Sequence, residues 1–108
     1  KMEYNIFSEG NTLYLSGFLR LMSPYDYNEP FALIKESLEG DFTEVIVDIT
    51  KLSFLNSSGI TALAKLILLA KKNNVVFILR GSEEKHWQKK SFDCLTKLYD
   101  QFLIEWAE

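Results

Sequence analysis

One short stretch of this chain has residue types at a spacing that could do chemistry: Leu55-Asn56-Ser57-Ser58-Gly59-Ile60. A serine where a helix opens presents an exposed hydroxyl beside unpaired backbone N–H groups and the positive end of the helix dipole. Such a hydroxyl can accept a phosphoryl group, and the helix end tolerates the resulting anion. A phosphate there adds about −2 of charge to a neutral surface, enough to break an interface without unfolding the domain. Serine is also among the favoured N-capping residues, so Ser57 reads from the residues alone as either a cap or an acceptor, with Ser58 the lesser candidate. Hydrolysis by a serine and a histidine is disfavoured. The stretch lacks the first Gly of Gly-x-Ser-x-Gly, and His86, the only His, has no assigned acid partner. With no Cys/His ligand spacing and no Gly-rich phosphate loop, neither a metal nor a cofactor is expected, and the chain reads as a non-enzyme.

Composition narrows the classes further. The 108 residues make one domain, 1–108, in which Lys1 ahead of Met2 reads as a residue added in cloning. Hydrophobic residues are 47% and charged residues 25%, the balance of an ordinary soluble globule. A net charge of −3 argues against binding duplex nucleic acid. The single cysteine, Cys94, allows no internal disulfide and points to a reducing cytoplasm. It reads as a small buried hydrophobe. The longest aliphatic run, Leu66–Ala70, falls far short of the ~20 residues that span a bilayer. No signal-peptide pattern opens the chain.

The positioning elements follow from periodicity. Alternation around Glu9-Gly10-Asn11 predicts a hairpin with strands at 3–8 and 12–18. Leu19–Asn28 reads as a loop, and Asn28 with Pro30 as the start of a helix over 29–39 that Gly40 ends. Glu44–Ile49 and Val75–Leu79 are β-branched runs with little alternation, the pattern of strands covered on both faces. Lys51–Asn56 reads as the connection from the first of these to a long helix. Ser57 or Asn56 caps that helix, which runs to about Asn73. Ser82 followed by Glu83 and Glu84 predicts another helix start, and Phe102–Trp106 a last strand. Strand–helix alternation implies right-handed crossovers. The expected fold class is α/β: a mixed, largely parallel sheet of about five strands, with an N-terminal antiparallel hairpin and three to four helices.

Val45–Ile60, read as V-I-V-D-I-T-K-L-S-F-L-N-S-S-G-I, resembles the central motif of STAS domains, the module shared by sulfate transporters and anti-sigma-factor antagonists. Asp48-Ile49-Thr50 stands for the family's Asp-Leu-Ser-like triplet and Asn56-Ser57-Ser58-Gly59 for its Asp-Ser-Ser-Gly. The resemblance implies a non-enzymatic switch in a partner-swapping pathway. It implies a serine kinase of the anti-sigma type as partner, a matching phosphatase, and a role in transcription regulation. By position the acceptor is Ser57, and Gly59 would let a partner approach the backbone. Asn56, Ser58, Gly59, Ile60, Thr61 and Arg20 form the expected contact surface, with the loop from Leu19 to Tyr27 beside them. Leu68 falls on the polar line of the helix and is expected to be exposed there. Asn56 stands where the family has Asp, and Arg20 where it often has another acid, so the partner's electrostatics should differ. If Arg20 and Arg80, both after strand ends, converge on Ser57, they could hold its phosphate. The same fold would serve a constitutive scaffold, or a small-ligand binder using the crevice at the strand ends. A homodimer is compatible with each reading.

Overall fold

The computed structural model describes residues 3–108, so Lys1 and its reading as an added residue lie outside the described part. Gly10 takes φ 60° in the first turn, the left-handed geometry a tight hairpin needs. Around it β1 (Glu3–Glu9) and β2 (Thr12–Leu19) pair antiparallel, from Glu3 opposite Phe18 to Glu9 opposite Thr12. Each is a residue longer than its periodicity predicts. A 3-10 segment (Pro24–Asn28) and α1 (Ala32–Glu39) follow. Then come β3 (Glu44–Asp48), β4 (Leu52–Leu55), α2 (Ser57–Asn73), β5 (Val76–Ser82), α3 (His86–Phe92), a second 3-10 segment (Asp93–Leu98) and β6 (Phe102–Ala107). The sheet has six strands in the order β1-β2-β3-β5-β6, with β4 paired to β2. All pairings beyond the hairpin are parallel.

Helices lie over one face only. β3 alternates, with Val45 and Val47 buried and Ile46 and Asp48 partly exposed on the other side. The expectation of a strand covered on both faces therefore fails for β3. Its β-branched outward residue rests between neighbouring strands rather than under a helix. The covered face packs Leu13, Leu15, Val45, Val47, Phe77 and Leu79 against Leu63, Ile67 and Ala70 of α2 in one core. Each such aliphatic side chain contributes roughly 1.5–3 kcal/mol on full burial. Asn74, at φ 57°, ends α2 in the left-handed conformation.

The unpredicted element is β4. After Asp48 the chain turns, because the Asp48 carboxylate accepts from both the backbone N–H and the hydroxyl of Thr50, at 2.9 and 2.7 Å. This side-chain turn steps the chain sideways. β3 thus pairs with the first half of β2 (Thr12–Tyr14), and β4 with the second half (Gly17–Leu19). At the change of partner Gly17 adopts φ 102°, and a Cβ there would collide with the backbone of Glu3 and Tyr4. The step turns the Ile49 and Leu52 carbonyls toward α3, the first of them also accepting from the Leu52 N–H at 2.9 Å. Gln88, fully buried, fills the break: its Nε2 donates to both, at 2.8 and 3.1 Å, and its Oε1 accepts from the Ser82 N–H at 2.9 Å.

Two helix limits differ from the sequence expectation. Asn28 closes a 3-10 turn instead of capping α1, whose N-cap is Phe31. Ser82 belongs to β5, and α3 opens only at His86 behind Lys85. Parallel pairing with β6 carries β5 past Arg80-Gly81 to Ser82. Cys94 is exposed rather than buried, because the 3-10 segment that holds it turns Leu95 to the core instead. No helix among the described residues is long and apolar enough to cross a membrane.

The break-filling role of Gln88 sets a test. Gln88→Leu removes the bonds to the Ser82 N–H and the Leu52 carbonyl, while the Ile49 carbonyl keeps the Leu52 N–H at 2.9 Å, and should lower unfolding free energy by about 2 kcal/mol in urea titration. Gln88→Glu, which keeps an acceptor and loses the donor, should not restore it.

Candidate functional site

The opening of α2 is organised by one amide. Asn56 is the N-cap, in extended geometry (φ −82°, ψ 178°), and its Oδ1 accepts from the Gly59 N–H at 3.1 Å. The same oxygen accepts from the Tyr27 hydroxyl at 2.6 Å, while Nδ2 donates to the Leu21 carbonyl at 2.8 Å. Tyr27 closes the ring, since its oxygen accepts from the Leu21 N–H at 3.1 Å. Three segments distant in sequence are thereby pinned together: the chain after β2, the 3-10 segment and the helix start. Burial of Tyr27 pushes its phenol above the ordinary 10, a rise that the Leu21 N–H partly opposes.

This settles which residue caps the helix. Ser57 is the first helical residue and is exposed, so its hydroxyl is not the cap. Ser58 is half-buried, and its Oγ donates to the Met22 carbonyl at 3.3 Å. Thr61 is exposed, and Leu68 is 48% exposed on the same helix. Met22 and Tyr25, in the adjoining loop, are 93% and 77% exposed. No acidic residue lies in the first turn of α2.

Other expected contacts do not reach this surface. Gly59 is buried, and a Cβ there would meet the Leu55 side chain and the Tyr27 ring. Its smallness lets the helix close on its own domain, so it does not open backbone to a partner. Ile60 packs largely against the core. Arg80 lies on the helix-free face, since its neighbour Leu79 is in the core and alternate residues point oppositely. There it meets Asp48 at 3.7 Å and Glu105 at 3.4 Å. It therefore cannot join a phosphate site on α2, which packs on the other face. Arg20, exposed after β2, sets its guanidinium 5.6 and 5.4 Å from the ring centres of Phe18 and Phe54.

Tyr27 is the residue that sequence reasoning missed. Its only signal is the three-residue spacing from Pro24, which places both on one side of a 3-10 turn. Trp87 is half-buried beside Phe54 and Phe92.

The comparisons with known proteins bear on this geometry. The sequence profile of the STAS domain matches residues 13–100. No curated protein matches the chain in sequence. A chain in the crystal structure of the diguanylate cyclase SiaD in complex with its activator SiaC, from Pseudomonas aeruginosa, is similar with a TM-score of 0.70 at 15% identity. That match covers 98% of this chain and 93% of the other. A structure of SiaC of Pseudomonas aeruginosa is similar to the same degree, TM-score 0.70 at 15% identity, covering 98% of this chain and 92% of that one. At this identity the likeness is one of fold.

The capping assignment separates two neighbouring residues in stability measurements. Asn56→Ala should cost about 2 kcal/mol, from the lost cap and loop bond, whereas Ser57→Ala should stay within about 0.5 kcal/mol. The buried phenols also set an alkaline limit. Tyr99, whose hydroxyl donates to the Val75 carbonyl at 2.9 Å, is likewise raised, by burial and then by Asp100. Below the ordinary phenol value both states hold the proton and the full stability is present. Above it the unfolded chain releases protons first, so stability should fall as pH rises beyond about 10. Melting curves between about pH 9 and 11 should show the fall, and Tyr27→Phe should make it shallower.

Proposed function

The chain belongs to the STAS domain family, and from that footing we propose that it is a regulatory protein-binding module, switched by phosphorylation of Ser57. The observation that carries the reading is the division of labour at the helix start. Asn56 holds the cap, so the neighbouring exposed hydroxyl can be modified without removing a structural bond. A phosphate on Ser57 would sit at the positive end of a 17-residue helix that has no acidic residue in its first turn. The domain would keep its fold while its docking surface gained about −2 of charge, felt over roughly 8 Å at physiological salt.

In this reading the module acts by docking, not catalysis. Ser57, Ser58, Thr61 and Leu68 of α2 form the contact surface with Met22 and Tyr25 of the adjoining loop. Arg20, set against the Phe18 and Phe54 rings, is not part of it. The modifying partner is a serine kinase acting in the cytoplasm, opposed by a phosphatase. SiaC, similar in fold, is the activator of a cyclase, so the client proposed for the unmodified form is a signalling enzyme. Asn56, neutral where the family resemblance expects an acid, suits a kinase that does not read a carboxylate beside the acceptor.

Two measurements decide the proposal. Chain incubated with kinase from its own host and ATP should gain one phosphate by intact mass, and Ser57→Ala should gain none. Pull-downs with Ser57→Ala and Ser57→Asp should recover different partners. A phosphate still added to the Ser57→Ala chain, or identical partner sets for both variants, would refute the switch.

A further inference from the structure

We propose that the groove between the 3-10 segment Pro24–Asn28 and α2 receives an amphipathic helix from a partner protein, one that carries acidic residues beside its apolar stripe. This rests on the reading of the chain as a docking module, but not on modification of Ser57. The groove is a cleft of about 300 Å³. Its floor is apolar, formed by Phe31 with Ala62, Leu66 and Leu69 of α2, and Tyr25 stands 77% exposed along one wall. An open trough walled by helical segments suits a helix that seats anchors at i, i+3 or i+4 and i+7. The floor is also pre-formed. Tyr27, which lines the groove, is held by its bonds to Asn56 and Leu21, so little ordering is needed on binding.

Charge selects the sign of the occupant. The charged residues lining the groove are Lys35 from α1 and Lys65 from α2, with no carboxylate among the lining, in a chain whose net charge is −3. Lys35 approaches Glu39 only at 3.9 Å, with the two side chains 61% and 48% exposed. Such a pair is worth little, so Lys35 can turn to a carboxylate across an interface. Two cations among the lining of an apolar floor complement acidic residues beside an apolar helical stripe. They do not form the continuous basic stripe that tracks a nucleic-acid backbone.

A displayed library of peptides of about 16 residues, selected on the full chain, tests this. Enriched peptides should combine the apolar i, i+3/i+4, i+7 spacing with Asp or Glu beside it. The exposed double variant Lys35→Glu, Lys65→Glu, checked for an unchanged circular dichroism spectrum, should bind them about tenfold more weakly. The same variant should gain affinity for the charge-swapped Lys peptides. Enrichment of basic or uncharged peptides, equal binding by the double variant, or no enrichment would overturn the proposal. Displacement of peptide by decanoate alone, with no dependence on peptide charge, would point to a small amphiphile instead and also overturn it. Ser57→Ala still presents the groove. Peptide binding by that variant, scored beside phosphate uptake by the unaltered chain, separates failure of the groove from failure of the switch.

Discussion

The organisation of this molecule around its candidate site depends on one side chain having a donor and an acceptor at once. Asn56 uses its oxygen to hold the helix end and the Tyr27 hydroxyl, and its nitrogen to hold the Leu21 carbonyl. A carboxylate could accept both bonds at the oxygen end but could not supply the third, because it has no proton to give. The amide in place of the acid thus has a structural cause as well as an electrostatic effect. It fastens the long loop after β2 to the helix while leaving the surface beside Ser57 neutral.

That fastening works only because the helix start is delivered to the loop, and the delivery is made by the step in the sheet. The Asp48–Thr50 turn shifts the chain from β3 to β4, so that β4 runs beside the far half of β2 and ends next to the chain leaving it. The step turns the Ile49 and Leu52 carbonyls and the Ser82 N–H toward one buried side chain, and buried unpaired groups are expensive. Gln88 repairs it from α3, an element later in the chain. The triplet resembling a family motif is therefore a piece of geometry, and the site's position is coupled to a glutamine about thirty residues downstream of it.

Function, in the reading proposed above, follows from a separation of tasks along one helix. The buried stripe of α2 anchors it to the sheet, Asn56 ends it, and the exposed line carries groups that structure does not require. Surfaces of that kind can change charge at little cost to the fold. The apolar groove beside them is stiffened by the same phenol that braces the cap, so the two candidate surfaces share one support.

The residues themselves specify much of this. The hairpin was legible in Gly10 and its flanking alternation, and α2 in its run from Ser57 to Asn73 with Asn74 as a left-handed stop. The alternation of strands and helices gave the α/β class, because local periodicity and turn chemistry act within a few residues. What stayed hidden was non-local. Whether Asn56 or Ser57 caps the helix depended on Tyr27 arriving from 29 residues away. β4 reads as a connection because a strand of four residues, Leu52–Leu55, has too short a pattern to announce itself. Its existence rests on β2 offering a second half to pair with. Arg80 lies on the other face of the sheet and Gly59 inside the fold, since the place a residue takes is set by sheet register and packing. Sequence by itself determined most of the elements, β4 excepted, and the candidate hydroxyl. Tertiary structure decided which side chains meet around it, because contacts between distant segments are fixed only when the whole core closes.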